Sequence, residues 1–267
     1  MEIQMGRKAV FFDIDGTLWS TDNVIPESTV EAIHGLQRNG HLAFINTGRT
    51  RAFVRRKNLL DIGFDGICCG CGTMLELNSR AEYYYKIPED FAIYTVETIR
   101  QFHFKPVLEG RYKLYLDDED FASDFYGMKL HDEMGDDLLT IRDHWGKWEI
   151  SKLSCATPQP EADVAACKEI LGKDYEFMSH NPEVVELVPT GHTKATIMDK
   201  VCERFDIDIS DTIAVGDGVN DLEMLHHAGS GIAMGSGSDE AKAAADFVTT
   251  GLNEDGIMNA MKQSGLI

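Results

Sequence analysis

Apolar residues along this chain follow two recurring patterns. Short unbroken hydrophobic runs alternate with longer stretches in which apolar residues return every three or four positions. Residues 8–14 form the first such run and end in an acid, as a buried strand carrying carboxylates at its C-terminal end would. Over 26–39, Val30, Ile33 and Leu36 have helical spacing, Pro26 sits near the start and Asn39-Gly40 supplies a stop. Residues 41–46 read as a second strand, followed by Thr47-Gly48-Arg49 and a basic helix to about residue 60; 66–69 reads as a third strand. This β-α-β-α-β order calls for a parallel sheet with helices on its faces.

The last third repeats the style. The pattern predicts a helix over 193–205, a strand over 212–216, a second helix opened by Asp217-Gly218-Val219-Asn220-Asp221, a strand over 231–234, a helix over 239–245 and a short strand at 247–248. Between the two halves the alternation loosens. Residues 89–102 and 161–171 read as helices, and 105–109, 112–116, 149–155 and 175–178 as strands. Two helices on a small antiparallel sheet make an inserted α+β unit. The expected fold is α/β: a Rossmann-like parallel-sheet core with helices on both faces, from residues 1–82 and 183–267, interrupted by a domain over 83–182.

Composition narrows the partners. The 267 residues are 43% hydrophobic and 26% charged, ordinary for a globular protein, and the net charge is −20. Such a charge repels nucleic-acid phosphates and anionic membrane surfaces, so neither is expected as a partner. An anionic substrate stays compatible with it if the site holds a divalent cation, because local charge decides local binding. No apolar run approaches the ~20 residues that span a bilayer, nor the length of a signal-peptide core. A cytoplasmic protein, monomeric or weakly homo-oligomeric, is the expectation. Of the six cysteines, Cys68 and Cys71 have CxxC spacing, but no second pair completes a zinc set, so reduced structural cysteines are expected.

Four segments carry candidate chemistry, each at a predicted strand end or helix start. Asp13-Ile14-Asp15-Gly16-Thr17 leaves the first strand, where ligands bind in parallel sheets. Two acids one residue apart can reach one point, and Gly16 lets backbone approach an anion; a solvated turn is the alternative. Asn46-Thr47-Gly48-Arg49 offers a hydroxyl and free N–H groups as a phosphate seat, or simple turn chemistry. Lys194, in Thr190-Gly191-His192-Thr193-Lys194, falls in the expected first turn of a helix, where the macrodipole disfavours a cation unless an anion meets it. Gly216-Asp217-Gly218-Val219-Asn220-Asp221 offers oxygen ligands to a hard cation such as Mg²⁺.

Together, in this order, the four segments resemble the haloacid dehalogenase superfamily. The long insert and the Gly-Asp-Gly-x-Asn-Asp form of the fourth motif are similar to the Cof-type phosphatases with a C2-type (IIB) cap, closest in flavour to sugar-phosphate phosphatases. The segment from Met224 to Gly235 is similar to that group as well. The resemblance implies that Asp13 is a nucleophile forming an aspartyl-phosphate and that Asp15 is a partly desolvated acid–base group. It implies Mg²⁺ held by the Asp13 and Asp217 carboxylates and the Asp15 backbone carbonyl, with Asp221 and Asn220 supporting. Gly16, Thr47, Gly48, Lys194 and Asn220 would bind the transferring phosphoryl group, and Arg49 would touch either phosphate or cap. The implied activity is hydrolysis of small phosphorylated metabolites. A phosphomutase or a non-catalytic binding protein on the same fold is the alternative.

Departures from the pattern are Cys71-Gly72-Thr73 for the common Asn-Gly-Ala, His192-Thr193 ahead of the lysine, and Ser236-Gly237 after Met234-Gly235. Several features suggest sites but have plainer explanations. Glu223, His226 and His227 mimic a metal set on a helix whose Leu222 and Leu225 would pack on the sheet. Tyr83-Tyr84-Tyr85 suits a strand or hinge into the insert, Trp145 and Trp148 a hairpin tip, and the acidic residues 117–120 a solvated loop or helix start.

Overall fold

The computed structural model describes residues 6–121, 125–158, 160–181 and 183–267. They form two compact units. The larger takes the residues up to Gly48 together with Arg55–Tyr83 and Thr193–Ile267; the smaller takes Arg49–Val54 and Tyr84–His192.

The larger unit is built on an eight-stranded sheet. Its strands are β1 (Ala9–Phe12), β2 (Leu42–Asn46), β3 (Gly66–Cys69), β4 (Met74–Leu77), β5 (Arg80–Tyr84), β12 (Thr212–Gly216), β13 (Ser230–Ala233) and β14 (Phe247–Val248), in the order β14-β13-β12-β1-β2-β3-β4-β5. β1 pairs in parallel with both β2 and β12, and every residue of these three strands is buried. Burial on both faces explains why they read as continuous apolar runs. On one face Ala9, Phe11, Leu42 and Phe44 pack against Ile197, Met198 and Val201 of α7 (Thr196–Phe205) and Met224 and Leu225 of α8 (Leu222–His227). Phe11 and Phe44 stack with ring centroids 5.3 Å apart. The chain winds from β1 outward to β3, then returns on the other side of β1 as β12. That reversal places a crevice at the carboxyl ends of β1 and β12, where parallel sheets bind ligands.

The β4–β5 hairpin extends the sheet antiparallel to β3 and was not expected beyond the strand at the tyrosines. The basic helix expected to residue 60 shrinks to one turn, α2 (Lys57–Leu60). Arg51 and Arg55 would stand four apart on such a helix, where like charges repel. A helix α10 (Gly256–Gln263) closes the chain and packs on α1 (Glu27–Arg38).

The smaller unit has a six-stranded sheet in the order β10-β11-β9-β6-β7-β8, with β6 (Lys105–Gly110), β7 (Leu114–Tyr115), β8 (Leu138–Leu139), β9 (Ile150–Ala156), β10 (Tyr175–Asn181) and β11 (Val184–Pro189). Helices α3 (Glu89–Gln101) and α6 (Val164–Leu171) pack Val96, Ile99, Cys167 and Leu171 against Leu108, Leu153 and Leu187. The insert was expected to close at residue 182, and Pro182 lies outside the described residues. β11, assigned from sequence to the core, pairs with β9 and β10 and so belongs to the smaller sheet. Its apolar run suits either sheet, and only the pairing decides.

Segment Arg49–Val54 packs within the smaller unit. Ala52 joins a cluster with Val107, Leu114 and Leu116, and the buried Thr50 hydroxyl donates to Glu109 at 3.0 Å. Glu109, Lys152 and Ser154 are buried together, and Lys152 Nζ lies 2.7 Å from Glu186. The acidic residues 117–120 lead into a one-turn helix, Asp118–Phe121, and Asp117 accepts from Arg100 at 2.6 Å. Trp148 is buried while Trp145 is exposed. They stand in a turn running into β9 rather than at a hairpin tip, because β8 pairs with β7 and not with β9. Among the described residues no helix is long and apolar enough to cross a membrane. All six cysteines are buried and none is in a disulfide.

Candidate active site

Register places the first and fourth motifs side by side. Phe12 pairs with Val215, so Asp13 leaves β1 level with the end of β12, and its N–H donates to the Val215 carbonyl at 3.0 Å. Asp217 follows directly, and its Oδ1 accepts from the Thr17 hydroxyl at 2.9 Å. Gly16, at φ +82°, lies against the Asp217 carboxylate, and a Cβ there would collide with it. Glycine at 16 is therefore required twice, by conformation and by space.

Lys194 joins the set from the turn just before α7. Its Nζ lies 2.5 Å from Asp13 Oδ1 and 2.6 Å from Asp221 Oδ1. All three side chains are at most 5% exposed. Asp221 also accepts the Asp217 and Gly218 N–H groups on its Oδ2, at 2.9 and 3.0 Å. Three of its roughly four lone-pair sites are thus used within the protein, which makes it an anchor for the turn and the lysine before anything else. Asn46, fully buried, donates to the Lys194 carbonyl at 2.8 Å, and its Oδ1 has no hydrogen-bond partner. The sequence motifs contain Thr17 and Asn46 without giving either side chain a role and leave out Trp19; the contacts of Thr17 and Asn46 exist only once distant segments meet, and that of Trp19 depends on the turn after β1.

The other expected residues are placed less tightly. Thr47 is buried at the end of β2, with its N–H on the Cys68 carbonyl at 3.0 Å, and Gly48 follows it. Asn220 folds back over Gly218, where a Cβ would meet its Oδ1 at 2.6 Å. Arg49 belongs to the smaller unit. Asp15 is exposed, so the partial desolvation expected of it is absent; the turn after β1 carries its side chain outward. Trp19 Nε1 donates to Asp15 Oδ1 at 3.0 Å. The loop Gly70-Cys71-Gly72 has three successive positive φ values, and the Cys71 N–H donates to the Thr47 carbonyl at 3.2 Å. His226 and His227 are exposed, the latter 2.7 Å from Asp199, and Met224 rather than Leu222 is the buried partner of Leu225.

Asp13, Asp217 and Asp221 can each put one oxygen within 4.8 Å of the others, a hard-donor set that fits a small divalent cation. The Asp15 side chain is not among them. Electrostatics agree with that fit. Burial pushes the Asp13 carboxyl up to about 8 although Lys194 pulls it down, and neighbouring Asp221 and Asp217 add to the rise. Burial likewise lifts Asp217 to about 6 against the pull of the Thr17 hydroxyl. Burial acts to lower Lys194, but its two carboxylate partners outweigh it and hold it firmly charged. Once ionised, three carboxylates around one ammonium leave uncompensated negative charge for a cation to offset.

Residues 10–261 match the family of haloacid dehalogenase-like hydrolases. The chain belongs to that family. Curated relatives of the family align with it end to end. "Putative phosphatase YkrA" of Bacillus subtilis (strain 168) is 33% identical over 274 residues, covering 98% of this chain and 100% of the relative. "5-amino-6-(5-phospho-D-ribitylamino)uracil phosphatase YitU" of the same organism is 26% identical, covering 95% and 96%. Among solved structures, the HAD subclass IIB sugar phosphatase BT4131 superposes with a TM-score of 0.79 at 28% identity, over 97% of this chain and 100% of that one. The family resemblance read from the motifs holds, and the chain is a phosphatase of the haloacid dehalogenase group.

The two raised carboxyls make a prediction for the metal-free protein. An Asp whose folded pKa lies above its unfolded one keeps a proton that the unfolded chain has released, so its contribution to stability falls as pH rises. For Asp13 that window runs from about 4 to about 8, and for Asp217 from about 4 to about 6. Metal binding needs both carboxylates ionised. Saturating Mg²⁺ is thus expected to raise Tm little at pH 5 and by roughly 5–10 °C at pH 8, the size expected for a ligand at about 100 times its Kd. Thermal melts with EDTA and with Mg²⁺ at both pH values check this; an equal increment at each would exclude these carboxyls as the binding groups.

Proposed function

We propose that this chain is a Mg²⁺-dependent phosphomonoesterase that transfers the phosphoryl group of a small metabolite to Asp13 and then to water. The observation that carries the reading is Lys194, buried and bridging Asp13 and Asp221 within a three-carboxylate cluster. A lysine so placed holds the attacking carboxylate in one orientation and still has a third N–H for a transferring oxygen.

In the first step an oxygen of Asp13 bonds to phosphorus, and the bond to the alcohol oxygen breaks with its electron pair on that oxygen. Asp15 gives that oxygen a proton. In the second step Asp15 takes a proton from water, the water oxygen bonds to phosphorus, and the Asp13–phosphorus bond breaks to return the carboxylate and release phosphate. Asp15 is exposed in the free protein, so bound substrate must supply the desolvation its acid role wants. Thr47, Lys194 and the Gly48 amide bind the equatorial oxygens, where the charge of a largely dissociative transition state collects, and Gly16 lets the backbone approach them closely. Mg²⁺ bound by Asp13 and Asp217, with the Asp15 carbonyl and with Asp221 and Asn220 in support, would neutralise the phosphoryl charge that a protein of net charge −20 otherwise repels.

We read the larger unit as the catalytic core and the smaller, to which Arg49 belongs, as a cap that selects the substrate. The relatives named above act on a sugar phosphate and on a phosphoribityl compound. A phosphomonoester on a sugar or sugar-alcohol carbon is the common chemistry and the class proposed here. The direct test is phosphate release from p-nitrophenyl phosphate and a panel of sugar and polyol phosphates, with Mg²⁺ and with EDTA. Expected is metal-dependent release without a bisphosphate activator. A folded protein releasing none sinks the reading, and a need for bisphosphate would turn it into a mutase.

A further inference from the structure

The turn leaving β1 fixes more than its two acids. Gly16 N–H donates to the Trp19 carbonyl at 3.0 Å, and Leu18 and Trp19 N–H donate to the Ile14 carbonyl at 3.0 and 3.1 Å. Asp15 and Trp19 also form an isolated β-bridge. Four residues apart, they are thus locked face to face by backbone. Trp19 is 1% exposed, whereas Asp15 is exposed. A buried indole N–H needs an acceptor, and here it is Asp15 Oδ1 at 3.0 Å. Packing alone does not fix an exposed carboxylate, which loses rotamer freedom only to a specific partner.

We propose that Trp19 is a positioning residue for the acid–base group: its buried indole N–H holds one oxygen of Asp15, so that the carboxyl is aimed before substrate arrives. The inference rests on the acid–base role proposed for Asp15. Trp19 touches no reacting atom and acts through Asp15 alone. A general acid must stand within hydrogen-bond reach of the leaving oxygen, and a misplacement of 1 Å can cost ~100-fold. The benefit depends on the leaving group. Phenol leaves poorly as its anion and needs the proton from Asp15 as the phosphorus–oxygen bond breaks. p-Nitrophenolate leaves readily without it.

The test is Trp19→Phe, which keeps an aromatic ring and removes the N–H. kcat/KM for phenyl phosphate is expected to fall about tenfold, part of the ~100- to 10,000-fold that acid catalysis supplies, while that for p-nitrophenyl phosphate stays within about twofold. In an Asp15→Asn background the same substitution should add nothing. Equal losses on both esters, or no loss on either, overturn the proposal. Should Trp19→Phe not fold, the wild-type indole N–H decides: with three tryptophans in the chain it is readily assigned by NMR. Its resonance must then move in Asp15→Asn, and an unmoved resonance overturns the proposal. If Asp15→Asn leaves phenyl phosphate turnover intact, the role of Asp15 itself falls. If only Trp19→Phe is silent, the positioning alone falls.

Discussion

Asp13→Asn is expected to lower kcat by roughly 10,000-fold or more, the scale on which removing a covalent nucleophile acts, and to leave the folded protein at least as stable as before. Both halves come from the same geometry. The Asn side chain has nearly the same shape but a poor nucleophile, so Lys194 keeps its place while phosphorus has no acceptor. Asp13 is buried among Asp217 and Asp221 with one ammonium between them, and its carboxyl is pushed up to about 8. A neutral amide removes one uncompensated charge from that cluster. Tm in EDTA should hold or rise, more at pH 8 than at pH 5, because only at pH 8 is the wild-type carboxyl forced to ionise. The Mg²⁺ increment should shrink, since one of the three carboxylates that could hold a cation is gone. Phosphate release and thermal melts at the two pH values measure this. Turnover within tenfold of wild type would remove Asp13 from the mechanism.

Lys194→Met should do the reverse to stability while also disabling catalysis. Methionine fills similar volume without charge, leaving Asp13 and Asp221 buried with no counter-ion. Breaking a buried pair in this way costs about 3–5 kcal/mol, or a fall in Tm of roughly 10 °C for a chain of this size. Protons can substitute for the lysine, so the loss is largest at pH 8 and smaller at pH 5. kcat should fall by ~100- to 1,000-fold, as when a preorganised charge is withdrawn from a developing oxyanion. Two substitutions in one ion pair are thus expected to differ in their effect on Tm, one holding or raising it and the other lowering it, while both impair turnover. A Tm at pH 8 unaffected by Lys194→Met would show that the buried pair is not what holds these carboxylates.

Much of the larger unit could be read in advance because its signals are local. A parallel strand buried on both faces must be apolar throughout, so β1, β2 and β12 announce themselves, and acids at their ends stand out against that background. The candidate residues Asp13 and Asp217 are legible for that reason, Thr47 because it stands at the end of β2, and Lys194 because a cation stands at a helix start within the order of the four motifs. The smaller unit was read less well. Strands β6 and β9 were anticipated although buried Glu109 and Lys152, satisfied by Thr50, Ser154 and Glu186, interrupt their apolar pattern, but β8 is only two residues long and β11 was assigned to the core.

By itself, then, the sequence determined the α/β class, most of the order of elements in the larger unit and which residues stand as candidates for the chemistry, since propensity, hydrophobic period and motif spacing act over a few residues. Tertiary structure alone decided the rest. Strand pairing gave β11 to the smaller sheet. Packing drew Arg49–Val54 into the smaller unit where a helix was expected. The turn after β1 left Asp15 in solvent and put the Trp19 indole on its carboxylate. Lys194, 181 residues from Asp13, came to lie 2.5 Å from it. These contacts join residues far apart in the chain, or depend on which way a side chain leaves its turn, and short-range patterns carry no information about either.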